Sequence, residues 1–147
     1  MGTNQAFAVG ADIAEIAALS AGQAQEFAQT GQQVYDAIAN SRKPVLAAIR
    51  GFCMGGGFDL ALACHARIAA PDAVFAHPGG ALGILTGWGG TQRLPRLIGR
   101  SRAIDILMTG RRIDAGEGLA SGLINAIVPP EDLIAEAVRR AATPQRA

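Results

Sequence analysis

Apolar positions along this chain follow two periods. Between Ala21 and Asn40, the residues Ala24, Phe27, Gly31, Val34, Tyr35 and Ile38 recur at the spacing of one helix face. Asn40-Ser41 and Lys43-Pro44 end that helix, because the residue before a proline is pushed out of the helical conformation. Val45 to Ile49 is then an unbroken apolar run of strand length, the pattern of a strand buried on both faces. Gly55-Gly56-Gly57 opens a helix through about Cys64, and 66–70 and 73–76 predict two short strands around a turn at Pro71-Asp72. These make a β-turn-α-β unit of an α/β layered fold. Residues 6–13 read as a short strand ending in a Gly turn, 101–109 and 115–121 as helices, and Leu123 to Val128 as a strand. Pro129-Pro130-Glu131-Asp132 caps a last helix. No repeat or linker divides residues 1–147, which read as a single domain.

The three glycines carry the first chemical signal. Without a β-carbon they accept positive φ and let a ligand approach the main chain. They fall where a helix starts, and the first amides of a helix lack internal acceptors and sit at its positive end. Such a segment can bind an anion or a developing negative charge. Asp59 follows in the first turn, either as a helix-start stabiliser or as a positioned acid or base. A second glycine-rich segment, Gly79 to Gly90, implies tight backbone packing or a ligand-lining wall.

Composition narrows the partners. The chain is 50% hydrophobic and 17% charged, enough apolar material for one domain with a core. A net charge of +1 and an aromatic fraction of 5% argue against nucleic acid and acidic membranes, which leaves small-molecule chemistry. Cys53 and Cys64 have no second Cys or His pair at zinc spacing, so two buried free thiols are expected and no metal site. No leader pattern and no apolar run of about 20 residues is present, so a cytosolic location is the default expectation.

Four segments in order resemble the enoyl-CoA hydratase/isomerase (crotonase) family: Phe7 to Ile13, Lys43-Pro44-Val45 through Ala61, Gly87 to Leu94, and Leu107 to Gly110 through Gly122 to Pro129. The resemblance implies a crotonase-like spiral of β-β-α units, of which the chain would be the central portion, without further N-terminal strands and C-terminal helices. It implies an acyl-CoA thioester as ligand, with coenzyme A part of the substrate and no separate cofactor. It also implies assembly as a homo-oligomer, a trimer or a dimer of trimers.

By the same resemblance, the amides of Ala11 and Gly56 form an oxyanion hole for the thioester enolate. One such donor is worth on the order of 10² to 10³ in rate. Ala8, Asp12, Ile13, Phe52, Met54, Gly55, Pro78, Gly79 and Gly87 fall on positions that line the acyl-CoA groove, and the Gly87 amide helps hold the attacking water. Asp12 is expected to act as a turn and helix-start residue there.

Two positions depart from the family pattern. Where hydratases carry two glutamates, this chain has Asp59 and Gly79. An aspartate retracts its oxygens by about 1.5 Å, one C–C bond. A misplacement near 1 Å costs on the order of 10²-fold. Gly79 can be neither acid nor base. Near the second glycine-rich segment only His77, Thr86 and Trp88 carry functional side chains, and His77 alone titrates, as an acid/base or as a hydrogen-bonded structural residue. His65 is expected to meet the last carbonyls of its helix. Arg111 and Arg112 are expected on a solvated face, and Ala14 stands where relatives often carry a Lys.

Two functions follow. One is an enzyme of hydration, isomerisation or decarboxylation, with Ala11, Gly56 and Asp59 as its catalytic groups. The other is a catalytically impaired member that binds acyl-CoA or only assembles with related subunits. An unrelated phosphate-binding module lacks the Gly-x-x-x-x-Gly-Lys and Gly-x-Gly-x-x-Gly patterns.

Overall fold

The computed structural model describes residues 5–142. Its strands are β1 (Ala6–Ala8), β2 (Leu46–Ile49), β3 (Phe52–Met54), β4 (Ala66–Ala69), β5 (Val74–Ala76), β6 (Ile113–Asp114) and β7 (Ala126–Ile127). Its α-helices are α1 (Ile13–Ala17), α2 (Ala21–Ala39), α3 (Gly56–Ala63), α4 (Gly90–Ile98), α5 (Arg100–Thr109), α6 (Ala115–Ala120) and α7 (Leu133–Ala142), with 3-10 turns at Pro78–Leu82 and Pro130–Asp132.

Two sheets share the strands, in the orders β1-β3-β5-β6 and β2-β4-β7. Consecutive strands β2 and β3 therefore belong to different sheets, as do β4 and β5. Each β-β-α turn of the chain adds one strand to each sheet, and the pairings β1/β3, β3/β5, β2/β4 and β4/β7 are all parallel. Gly51 makes the corner between β2 and β3 at φ 61°, where a Cβ would stand 2.5 Å from the Gln5 carbonyl carbon.

The apolar run 45–49 is buried on both faces, as its unbroken pattern implies. Ala47 and Ile49 enter the main core with Phe58, Phe75, Leu94 and Ile106, while Ala48 packs in a second cluster with Ile68, Ala70 and Leu133 of α7. Helix α2 forms over the predicted residues, with a Ser20–Gln23 capping box at its start.

Several local readings change. The 6–13 strand stops at Ala8, because Asp12 accepts a hydrogen bond from the Ala14 amide at 2.8 Å and caps α1. That is the helix-start role expected of Asp12. The 123–128 strand contracts to Ala126–Ile127, because Leu123 and Ile124 turn into the core. Strands β3 and β6 are too short for periodicity to announce. His65 does not meet the carbonyls of α3; its Nδ1 accepts from the Val45 amide at 3.0 Å. Those carbonyls are served instead by buried Arg67, whose guanidinium donates to Cys64 O (2.7 Å), Ala61 O (3.3 Å) and Leu123 O (2.7 Å). Cys53 and Cys64 are free and buried.

Candidate active site

Gly55 carries the turn from β3 into α3, at φ 53° and ψ −124°. Its amide donates to Ala76 O at 3.0 Å, and its carbonyl accepts from Phe58 and Asp59 at 2.9 and 3.0 Å. This fixes the first turn of α3 against β5. The β1 loop packs onto the same turn. A Cβ on Gly10 would stand 3.1 Å from Gly56 N, and one on Gly57 would stand 2.6 Å from the Ala8 Cβ. Only residues without a β-carbon allow this approach, which draws the Gly10-Ala11 segment up to the N-terminus of α3. Neither the Ala11 nor the Gly56 amide is taken by an acceptor among the described residues.

Beside this junction lies a cavity of about 240 Å³ with a mostly apolar wall. Of the residues picked out in the sequence, Ala11, Ile13, Gly55, Gly56, Asp59, Pro78, Gly79 and Gly87 line it, and Ala8, Asp12, Phe52 and Met54 do not. Phe52 is 42% exposed on β3, with the Arg112 guanidinium 5.7 Å from its ring centroid. Arg111 is tied to Asp105 and Glu117 at 2.6 Å each.

The acid/base candidate is buried. Asp59, 1% exposed, receives the Thr86 hydroxyl on Oδ2, and its Oδ1 lies 3.3 Å from His77 Nε2. Burial pushes Asp59 up to about 6, against the opposite pull of the Thr86 hydroxyl, the Trp88 and Gly90 amides and Arg93. Burial likewise pushes His77 down to about 4. At neutral pH the pair is therefore a carboxylate beside a neutral imidazole. A carboxyl titrating this near neutrality is suited to taking and returning a proton. Gly79 contributes no side chain, and a Cβ there would stand 2.5 Å from Ile84 O.

The sequence named Tyr35 only as a helix-face position and Trp88 only as a functional side chain, and showed the contacts of neither. Tyr35 of α2 donates to Gly56 O at 2.9 Å, and burial raises its phenol to about 12. Trp88 packs tilted against Phe27 and edge-on to Tyr35 and lines the cavity, pressed into the space left by Gly31 and Gly56. The helical period pointed Gly31 and Tyr35 to one face of α2, but gave no sign of what that face meets. Among the described residues no cluster of three His, Cys, Asp or Glu could hold a metal, and no helix is long and apolar enough to cross a membrane.

Comparison with known proteins bears on this arrangement directly. The family model for enoyl-CoA hydratase/isomerase matches residues 1–146. A crotonyl-CoA hydratase of Syntrophomonas wolfei is 48% identical over 133 residues, covering 90% of this chain and 51% of the relative. The crystal structure of an enoyl-CoA hydratase from Bacillus anthracis superposes with TM-score 0.89 at 40% identity, over 95% of this chain and 54% of the other. DspI of Pseudomonas aeruginosa superposes at 0.91 with 36% identity, over 95% and 53%. The chain thus spans about half the length of the relatives it matches. The spiral of β-β-α turns, the glycine junction of β1 with α3 and these likenesses together place the chain in the enoyl-CoA hydratase/isomerase family.

Proposed function

We propose that this chain binds an acyl-CoA thioester, stabilises its enolate on the amides of Ala11 and Gly56, and hydrates a short 2-enoyl-CoA. The observation that carries this is the convergence of Gly10-Ala11, Gly55-Gly56 and the buried Asp59 carboxyl on one mostly apolar cavity.

The thioester oxygen accepts from the two amides, and water sits near the Gly87 amide. The water oxygen bonds to the β-carbon as Asp59 takes its proton, and the C=C electrons move to form the enolate. Asp59 then returns that proton to the α-carbon. The sum is addition of one water with Asp59 regenerated. Because the cavity wall is mostly apolar, the charge on the enolate oxygen meets preorganised dipoles, worth several kcal/mol. Coenzyme A belongs to the substrate in this scheme, with no separate cofactor. A cytosolic homo-oligomer of three or six copies is part of the same proposal.

The test is turnover of crotonyl-CoA, followed as loss of the conjugated thioester absorbance. Asp59→Asn is expected to lower kcat by about 10²-fold or more, the usual contribution of a positioned acid/base. Undiminished turnover in that variant removes Asp59 from the reaction. The absent side chain at position 79 favours a second reading, a binding-only member, which titration calorimetry showing acyl-CoA binding without turnover would select.

A further inference from the structure

The enolate scheme leaves one carboxyl group to handle both halves of a proton transfer, and it leaves His77 unexplained. His77 and Asp59 are 5% and 1% exposed, and both line the cavity. Their facing atoms, Nε2 and Oδ1, stand 3.3 Å apart, and neither is in hydrogen-bonding geometry, with the other or with any other described residue. Two buried polar atoms left unpaired side by side are costly unless a proton lies between them.

The surroundings hold the two atoms in that relation. The imidazole stacks on Phe58 at 4.8 Å and 28°, and the Thr86 hydroxyl holds the other carboxyl oxygen. Gly90 supplies the room. A Cβ there would stand 2.9 Å from His77 Nε2 and closer still to Asp59 Oδ1. The remaining titratable groups that face the pair are Tyr35 of α2, Cys53 of β3 and Arg93 of α4. None of them reaches Nε2.

We propose that His77 is the positioning residue of the proton-transfer step, its Nε2–H closing the 3.3 Å gap to donate to Asp59 Oδ1 and aiming the shortened carboxyl at the substrate carbons. This rests on the enolate reading above. The imidazole begins and ends neutral, with its proton on Nε2. The water's proton travels to the Asp59 carboxyl and from there to the α-carbon, so His77 neither gains nor loses a proton. It replaces the reach that a longer acid would have, and the burial that keeps it neutral makes it a donor at every stage of the cycle.

Two measurements decide the matter. In 15N NMR of the free protein, His77 is expected as the Nε2–H tautomer at neutral pH. Its shifts should step with Asp59 at a midpoint near 6, and the step should vanish in Asp59→Asn. The Nδ1–H tautomer, or shifts blind to Asp59, overturns the proposal. In the crotonyl-CoA assay, His77→Phe is expected to lower kcat by about 10²-fold, the cost of misplacing a reacting group by roughly 1 Å. KM should change little. His77→Gln, which keeps an N–H near the same place, should recover most of the loss. Equal losses in both variants, or none in either, sink the positioning role. If the unaltered chain turns over no enoyl-CoA, the enolate reading falls, and the NMR measurement, which needs no substrate, still decides the pair. It also decides should His77→Phe fail to fold.

Discussion

Gly22 and Gly31 lie in the same helix, α2, and the same substitution at each should act with opposite sign. Helix propensity alone favours Ala over Gly by up to about 1 kcal/mol at both places. At Gly22 nothing stands within 4 Å of an added Cβ, so that gain is realised. At Gly31 the Cβ would stand 2.5 Å from Trp88 Cε2 and closer still to Nε1 and Cδ1. Carbon contacts settle at about 3.5–4.0 Å, so the indole must retreat by at least about 1 Å. Its neighbours oppose that shift: Phe27 and Tyr35 pack on it at centroid distances of 5.1 and 5.5 Å, and its Cζ3 already sits so near the Gly56 backbone that a Cβ there would stand 2.5 Å away. Overpacking of this kind costs about 1–3 kcal/mol, which exceeds the propensity gain. At roughly 3–4 °C per kcal/mol for a domain of this size, Gly31→Ala should melt several degrees below the parent and Gly22→Ala slightly above it. Trp88 is the sole tryptophan, so its fluorescence reports the displacement directly. In a Trp88→Leu background the penalty at Gly31 should shrink, as a coupled pair requires. A Gly31→Ala protein that melts at or above the parent, with unchanged emission, would refute the argument.

The Asp59–His77 pair should show itself in the pH dependence of stability. Asp59 rises from 3.8 to about 6 on folding, so its contribution is full below 3.8 and lost as pH climbs through 6. His77 falls from 6.5 to about 4, so its contribution is full above 6.5 and lost as pH drops through 4. Each is worth at most about 3 kcal/mol, and the two slopes oppose between pH 4 and 6. Urea unfolding from pH 4 to 7 should therefore give Asp59→Asn a stability that rises with pH relative to the parent, and His77→Gln one that falls; parallel curves for all three would contradict the assignment. Arg67→Ala should cost about 3 kcal/mol by orphaning the carbonyls of Ala61, Cys64 and Leu123, seen as a lower urea midpoint.

What the sequence determined by itself is local. The period of α2, the two-sided burial of β2, the glycine entry into α3 and the strands around Pro71-Asp72 follow from residue spacing and from what glycine and proline permit. The motifs in order were enough to mark the family, and the letters alone showed Asp59 and Gly79 at the two positions where the resemblance implies glutamates. The tertiary structure decided which of these pieces meet. Gly10 comes to lie against Gly56 only because β1 and β3 pair in parallel. His77 faces Asp59 because β5 runs beside β3 and Gly90 leaves the gap between them. Trp88 reaches Gly31 of α2 across a segment with no periodicity to read. Spacing along a chain encodes which face of an element is apolar, but the partner of that face is set by packing between residues far apart in sequence. In this protein Asp59 owes its burial and its neighbours, Thr86 and His77, to such packing.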